Sequence, residues 1–321
     1  MLYKYLTVWV ITDKLLRMEI ITATTEPPKK RRVSHSQFSN WYACRHHWYL
    51  DFVKGLRTFE DSINTCFGTA IHEAVQLYIE TLYKQGVKEA DTHDLNAIFE
   101  AAFKRELDDH KVPTTDDERM EFIVDGADIL SAFKNMTNRI KYFPTNKYEF
   151  IAVEDEIVMP IKNNVDFIGY IDLVLKDKVT GRYRIVDIKT SRMEWKYQKE
   201  SFAKLSQVLL YKAFFSRKYN VPIEMIDVEF FILKRKLYEN YPFPQSRIQQ
   251  FVPKHTQKLI ANTLNVFAEF VTECFKSDGT FVEDPKGYLK NPGKAKKNCK
   301  YCVHKGTNCD TKSDIPKEEL A

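Results

Sequence analysis

Residues 185–189 read Ile-Val-Asp-Ile-Lys and predict a β-strand with two charged residues on one face. Alternate residues of a strand share a face, so Asp187 and Lys189 point to one side while their apolar neighbours pack on the other. The strand predicted before it, residues 167–175, is almost wholly apolar except for Asp172. A lone carboxylate in such a strand is costly to bury without a partner.

A divalent metal site would explain these charges. A hard cation held between Asp172 and Asp187 would relieve the repulsion between two carboxylates on neighbouring strands. Lys189 beside them could hold a nucleophile or stabilise an oxyanion. For any one of these residues alone, the alternative is a strand-end charge or a structural ion pair. The three together favour the metal site, because unusual buried charge tends to mark function.

Two predicted helices carry further candidate residues. His72 lies one position off the apolar stripe of a helix predicted over residues 68–83, so it can reach from the buried face toward the sheet. Alone it would be a hydrogen-bonded core histidine, but beside two carboxylates it becomes a candidate metal ligand. Gln207 and Tyr211 share one face of a helix predicted over residues 199–218 and can donate hydrogen bonds to a carboxylate or a phosphate.

The hydrophobic pattern predicts a mixed order of elements. Other helices are predicted from Ser34 through Tyr42 and over residues 95–110, 117–141 and 254–276. Strands are predicted over 149–160, 165–176, 182–189 and 226–235, the first three as a meander. The expected organisation is a flexible basic arm (1–33), one domain (34–312) with a helical insert (87–145) and a cysteine-cluster segment (278–312), and a tail (313–321).

Composition excludes several classes of protein. The 321 residues are 44% hydrophobic and 29% charged, which is an ordinary globular balance. No apolar run approaches the ~20 residues that a membrane span needs, so no membrane partner is expected. Six cysteines in so long a chain do not make a disulfide scaffold, and a cytoplasmic, reducing compartment is expected. The net charge of +5 suits a nucleic-acid partner.

The cysteines near the end of the chain have the spacing of metal ligands. Cys299 and Cys302 form a C-x₂-C pair, and Cys309 follows after six residues. Three cysteines leave a tetrahedral metal one ligand short, and Cys44 is the natural fourth. On spacing alone, zinc and an iron–sulfur cluster are indistinguishable. The alternatives are unrelated thiols or a zinc site that uses a histidine: His46, His47 or His304.

These motifs together resemble the RecB-like branch of the PD-(D/E)XK nuclease superfamily. Gly68-Thr-Ala-Ile-His72 resembles its histidine motif, Gly169-Tyr-Ile-Asp172 its G-x-(I/V)-D strand and Val186-Asp-Ile-Lys-Thr190 its D-x-K strand. Gln207-Val-Leu-Leu-Tyr211 resembles its Q-x-x-x-Y helix, and residues 34–44 its opening segment. The resemblance runs from about residue 34 to 310, with 87–145 unmatched.

The resemblance implies an α/β (α+β) fold with a restriction-endonuclease-like core, in which helices flank a central mixed sheet. It implies Mg²⁺ or Mn²⁺ held by His72, Asp172, Asp187 and the carbonyl of Ile188. Lys189 would position the attacking water, and Gln207 and Tyr211 would support the site. Glu154 and Glu156, one strand upstream, would surround the ligands.

The resemblance also bears on the cysteines. A subset of RecB-like nucleases, including the AddB subunit and the CRISPR-adaptation nucleases, holds a [4Fe–4S] cluster with one early cysteine and a late C-x₂-C…C. By resemblance, Cys44, Cys299, Cys302 and Cys309 would hold such a cluster as a staple, with zinc as the alternative.

The expected function is a metal-dependent DNA nuclease, and most simply an exonuclease on single-stranded DNA or duplex ends. Recombination, repair, phage replication and CRISPR adaptation are the expected contexts, with a helicase or recombination protein as a possible partner. The alternatives are a structure-selective endonuclease and a non-catalytic DNA-binding module of a larger complex.

Overall fold

A computed structural model gives the structure of residues 30–57, 62–196 and 201–316. Within these residues the strands are β1 (Arg31–Val33), β2 (Tyr148–Pro160), β3 (Val165–Asp177), β4 (Tyr183–Ser191), β5 (Ile226–Lys234) and β6 (Ile248–Phe251). The helices are α1 (His35–Ala43), α2 (Arg45–Trp48), α3 (Ile63–Lys84), α4 (Val87–Thr92), α5 (Leu95–Asp109), α6 (Asp116–Lys134), α7 (Met136–Tyr142), α8 (Phe202–Tyr219) and α9 (Gln257–Cys274).

All six of these strands join one mixed sheet. The order is β1-β3-β4-β5-β6, and β2 pairs antiparallel with nearly the whole of β3. Because β2 occupies one edge of β3, both β1 and β4 must lie along the other edge. β4 and β5 run parallel, and α8 is the helical crossover that such a pair requires. The expected α/β fold with a central mixed sheet is confirmed.

Helices cover both faces of this sheet. Val186 and Ile188 of β4 are fully buried in a core with residues of α3, α5 and α6, as the period of two predicts. Their neighbour Ile185 points the other way, into a core with Phe214 of α8 and Phe267 of α9. Burial on both faces removes apolar surface from water and fixes β4 at the centre of the domain.

Several elements differ from the sequence-based expectation. Arg31–Val33 is strand β1 of the sheet, so the prediction of a flexible arm through residue 33 is wrong for these residues. The single helix predicted over 117–141 is two helices, because Asn135 leaves helical geometry and caps α7 with its side chain. The four-residue strand β6 was not expected, since so short a run carries little periodic signal. Residues 1–29 and 317–321 of the predicted arm and tail lie outside the described residues.

None of the helices in the described part of the chain is long and apolar enough to cross a membrane.

Candidate active site

The sheet forks at the two aspartates. Pairing between β3 and β4 ends at Leu173 and Val186, so Asp172 and Asp187 come directly after the last paired residues. Asp172 Oδ2 accepts a hydrogen bond from the backbone N–H of Ile188 at 2.6 Å. The carboxylate therefore takes the place of the next ladder hydrogen bond and holds the two strands apart.

Asp187 is a buried carboxylate whose oxygens lack hydrogen-bond partners within the part of the chain that the structure describes. Its side chain is 1% exposed, and Oδ2 lies 2.8 Å from the Lys189 ammonium. Beyond this ion pair, neither Oδ1 nor Oδ2 has a well-formed hydrogen bond among the described residues. An unpartnered oxygen of this kind is costly to bury, and a cation is the usual remedy. The donor set here fits a hard divalent metal, which prefers oxygen ligands.

Burial sets the protonation of both aspartates. It raises the pKa of Asp172 and the pKa of Asp187 to about 6, although the charge of Lys189 acts against the rise. Burial also disfavours the charged form of Lys189, but the charges of Asp187 and then Asp172 outweigh it and raise the pKa of the lysine. At neutral pH the fork therefore holds two carboxylates and one ammonium, with net negative charge.

Two further side chains bring possible metal-ligand atoms close to Asp172. His72, Glu154 and Asp172 each place one ligand atom within 4.8 Å of the others. His72 Nδ1 lies 3.9 Å from Asp172 Oδ2. Burial and then the charge of Lys189 lower the pKa of His72 to about 4, while a hydrogen bond with the backbone of Ile188 opposes the shift. The ring is therefore neutral at pH 7, which is the form that binds a metal.

Glu154 reaches this group through an unusual backbone. Its φ is +50°, in the left-handed region that non-glycine residues seldom adopt. Gln76 Nε2 donates to Glu154 Oε1 at 2.5 Å and to the carbonyl of Asp172 at 3.2 Å. Strained backbone of this kind clusters at functional sites. Sequence reasoning placed Glu154 only around the ligands and missed Gln76, although its i, i+4 spacing from His72 was the available signal.

Glu156, the other glutamate expected around the ligands, is not one of the three residues whose ligand atoms lie together. Its Oε1 accepts a hydrogen bond from Tyr170 Oη at 3.0 Å, at the exposed side of the sheet.

Two glycines allow helices to approach the fork closely. A Cβ at Gly68 would lie 3.2 Å from Thr190 Oγ1, so this glycine lets α3 pack against β4. A Cβ at Gly169 would lie 2.7 Å from the ring of Tyr211, so this glycine makes room for the tyrosine. Both glycines of the quoted motifs thus serve close packing around the site.

The α8 residues expected to support the site lie together. Gln207 Nε2 donates to Tyr211 Oη at 3.2 Å, and burial raises the pKa of Tyr211 to about 12, which keeps it a neutral hydroxyl. Sequence reasoning gave no role to His35, which bonds Ser206 Oγ at 2.9 Å. Burial and then the charge of Lys189 lower the pKa of His35 to about 3, so a neutral imidazole lies near the lysine.

Metal affinity is expected to fall as the pH drops below about 6, because the pKa values of Asp172 and Asp187 are raised to about 6. Below this pH the metal must displace a proton from each carboxyl group, and each such proton lowers the metal affinity by up to about tenfold for every pH unit of acidification. His72 stays neutral down to about pH 4 and adds nothing to this dependence. Calorimetric titration with Mn²⁺ between pH 5 and 8 measures it. An affinity that is flat across this range would contradict the two raised pKa values.

Replacement of His72 by alanine is expected to weaken metal binding more than folding. The imidazole is one of the grouped ligand atoms, and losing it should lower Mn²⁺ affinity by about 10- to 100-fold. His93, which bonds Thr81 of the same helix α3 at 3.0 Å, provides the matched control His93→Ala with unchanged affinity. Severe thermal destabilisation of His72→Ala with unchanged Mn²⁺ affinity would show a core histidine instead.

The four cysteines predicted to share a centre line one pocket. Cys44 lies between α1 and α2, and Cys299, Cys302 and Cys309 line the same pocket from the other end of the chain. The backbone N–H of Asn291 donates to Cys44 Sγ at 3.4 Å, and Asn298 Nδ2 donates to the carbonyl of Ala43 at 2.9 Å. The fold therefore brings the two ends of the domain together at four thiols.

Two of the histidines at this pocket contact Asp51. His304 Nε2 lies 2.7 Å from Asp51 Oδ1, and its Nδ1 lies 3.3 Å from Asn308 Nδ2. His47 Nε2 lies 3.5 Å from the other oxygen of Asp51. His46 also lines the pocket. The four soft sulfur donors fit an iron–sulfur cluster or zinc, whereas His304 has both ring nitrogens committed.

Comparison with known proteins agrees with this geometry. The family profile of the PD-(D/E)XK nuclease superfamily matches residues 32–307, which is most of the chain. No curated protein sequence gave a match. Nucleases of this superfamily use divalent metals such as Mg²⁺ or Mn²⁺, in keeping with the oxygen-rich fork between β3 and β4. The chain therefore belongs to the PD-(D/E)XK nuclease superfamily.

Proposed function

We propose that this protein is a DNA exonuclease that acts on single strands or duplex ends. The observation that carries the proposal is the fork in the sheet, where Asp187 is buried with an unsatisfied oxygen beside Asp172 and Lys189. Membership of the superfamily supplies the class of reaction, hydrolysis of phosphodiester bonds with a divalent metal.

The residues at the fork divide the work of this reaction. Mg²⁺ or Mn²⁺, when bound, would polarise the phosphate and lower the pKa of water. The proposed ligands are His72, Glu154, Asp172, Asp187 and the carbonyl of Ile188. Lys189 stays protonated because the neighbouring carboxylates raise its pKa, so it donates hydrogen bonds rather than accepting a proton. It would orient the attacking water and stabilise charge that develops on the phosphate oxygens.

Gln207 and Tyr211 would support this arrangement from α8. Tyr211 is a neutral hydroxyl that accepts a hydrogen bond from Gln207, so its own proton is free to donate toward the site. Its packing against Gly169 fixes the ring beside the strand that carries Asp172. Such fixed donors cost no reorganisation during the reaction.

The electrostatics of the fork disfavour a purely non-catalytic binding module. Two buried carboxylates with raised pKa values destabilise the folded chain at neutral pH unless a cation neutralises them. A module that only bound DNA would gain nothing from this negative charge, since DNA is itself an anion.

Closed circles distinguish exonuclease from endonuclease. The protein, with Mg²⁺, is incubated in parallel with a linear and a covalently closed circular single-stranded DNA of the same sequence. An exonuclease degrades the linear strand and leaves the circle intact. Cleavage of the circle at a comparable rate would overturn the proposal and favour the structure-selective endonuclease.

We further propose that Cys44, Cys299, Cys302 and Cys309 hold a [4Fe–4S] cluster with a structural role. Support comes from the four thiols in one pocket, the N–H donated to Cys44, and the resemblance to RecB-like nucleases with this cysteine pattern. Zinc is the second candidate. No disulfide joins the cysteines that the structure describes.

Recombination, repair, phage replication and CRISPR adaptation remain the proposed contexts. The sequence contains no G-x-x-x-x-G-K-(S/T) motif for nucleotide binding. A helicase or recombination protein is the partner that we propose in these contexts.

A further inference from the structure

The loop between β5 and β6, residues 235–247, presents three aromatic rings to solvent. Tyr238, Tyr241 and Phe243 are 37%, 54% and 68% exposed. Their ring centroids follow one another at 6.0 Å and 6.1 Å, and neighbouring rings are tilted or edge-on. Clustered exposed aromatic surface marks a binding site more often than a single exposed ring does.

This loop is built to hold the rings in place. Tyr238 N donates to Gln245 Oε1 at 2.9 Å, and Gln245 Nε2 donates back to the Tyr238 carbonyl at 2.7 Å, which closes the loop at its base. Pro242 and Pro244 flank Phe243 and restrict the backbone on both sides of it. The rings are therefore presented with little conformational entropy left to lose on binding.

The base of the loop lies beside the end of the catalytic strand. Lys189 of β4 is level with Ile232 of β5, and Lys236 N donates to the carbonyl of Arg192 at 2.7 Å. Arg192 is three positions after Lys189, which is about 10 Å along a strand. Tyr238 Oη lies 3.4 Å from Glu194 Oε1, just beyond this point.

Polar and basic side chains lie between the fork and the three exposed rings. An open pocket directly after Lys189 is lined by Asn64, Phe67, Thr190, Ser191, Arg192 and Arg235. Lys196 Nζ lies 4.7 Å from the centroid of the Tyr238 ring and 3.3 Å from Glu194 Oε1. Lys204 Nζ lies 3.8 Å from the ring of Trp195, and its pKa is lowered by burial and then by the charge of Lys189. The ring of Trp195 is buried, whereas Tyr238 is exposed, so Lys196 beside Tyr238 is the pair that matches a surface for single-stranded nucleic acid.

We propose that Tyr238, Tyr241 and Phe243 stack the unpaired bases of a DNA strand whose backbone leads to the fork. The inference rests on the proposed nuclease function and narrows its substrate to DNA with a single-stranded segment. Only unpaired bases expose both faces to such rings, whereas a duplex keeps its bases stacked inside. Arg192, Lys196 and the catalytic strand beside the rings favour a nucleic acid over a protein partner.

The test is binding of DNA without cleavage, in buffer that contains no divalent metal. Fluorescence anisotropy measures the affinity of the wild-type chain and of the Tyr241→Ala, Phe243→Ala double variant for a labelled 20-nucleotide oligothymidine and a blunt 20-base-pair duplex. The double variant is expected to bind the single strand about 10- to 100-fold more weakly, with duplex binding unchanged.

Two further variants separate stacking from other effects. Tyr241→Phe together with Phe243→Tyr keeps both aromatic faces and should restore wild-type affinity. Tyr241→Leu together with Phe243→Leu keeps apolar area without aromatic faces and should bind as weakly as the alanine variant. Unchanged single-strand affinity in the alanine variant would overturn the proposal. Leucine variants that bind the single strand like wild type would also overturn it, because they keep apolar area without aromatic faces. Failure of the nuclease proposal is distinguishable from these outcomes. In that case the wild-type protein would bind DNA but would not cleave it when Mg²⁺ is added.

Discussion

Substitution of Asp187 by asparagine is expected to lower the single-turnover rate of DNA cleavage by roughly three orders of magnitude, an effect typical of losing a key electrostatic group. Asparagine keeps the shape of the side chain but removes the charge that the metal and Lys189 share. The measurement uses excess enzyme, end-labelled single-stranded DNA and saturating Mg²⁺. Excess enzyme excludes slow product release from the observed rate.

Two further variants are measured beside Asp187→Asn, one as a second test of the site and one as a control. Lys189→Ala should also lose rate while it keeps metal and DNA binding, because the ammonium acts in the transition state. Asp227→Asn is the matched control, since Asp227 is a strand carboxylate on β5 that pairs with Arg182 at 2.6 Å. It should cleave at the wild-type rate. An Asp187→Asn protein that cleaves as fast as this control would show that the fork is not the active site.

Replacement of any one of the four pocket cysteines by serine is expected to destabilise the whole domain. A centre held by Cys44 and Cys302 joins segments far apart in sequence, so its binding energy adds to folding stability. A loss of about 3–5 kcal/mol would lower the melting temperature by roughly 10 °C in a domain of this size. Differential scanning fluorimetry of anaerobically purified protein measures the change.

Metal content decides what the cysteines hold. The wild-type chain should be brown and contain about four irons, whereas Cys302→Ser should lose iron. Cys66 and Cys274 are fully buried and lie outside the pocket, so Cys66→Ala should keep its iron even if packing suffers slightly. One zinc and no iron in the wild-type protein would contradict the iron–sulfur cluster but not the proposal that a metal centre joins the two ends of the domain. Full stability with neither metal would overturn both.

The residues that carry the proposed chemistry follow from strand and helix periodicity. A period of two puts Asp187 and Lys189 on one face of β4, and the structure places their carboxylate and ammonium 2.8 Å apart. A period of 3.6 puts His72 at the edge of a buried stripe, from which it reaches Asp172. Such patterns can be read from neighbouring residues alone, once the strand is taken to lie in a buried sheet.

The remaining features depend on contacts that no local pattern encodes. Glu154 reaches the ligands because its backbone adopts a positive φ within β2, and nothing in its neighbours predicts that geometry. Strands β1 and β6 contain three and four residues, too few to show alternation, and they form by pairing with longer strands. Nothing in the sequence around His35 predicts its place near Lys189, because that approach depends on how α1 packs beside the fork.

The most direct test of the central claim follows cleavage by the wild-type protein as the metal is varied. The enzyme keeps its iron but is first freed of Mg²⁺ and Mn²⁺. It is then incubated with a 5′-labelled single-stranded DNA while Mg²⁺ or Mn²⁺ is added stepwise, and the products are resolved at single-nucleotide resolution. The account predicts no cleavage without the divalent metal, saturable cleavage with it, and complete reversal by a chelator. Folded protein that leaves the DNA intact at every concentration of both metals, or that cleaves equally without them, would contradict it.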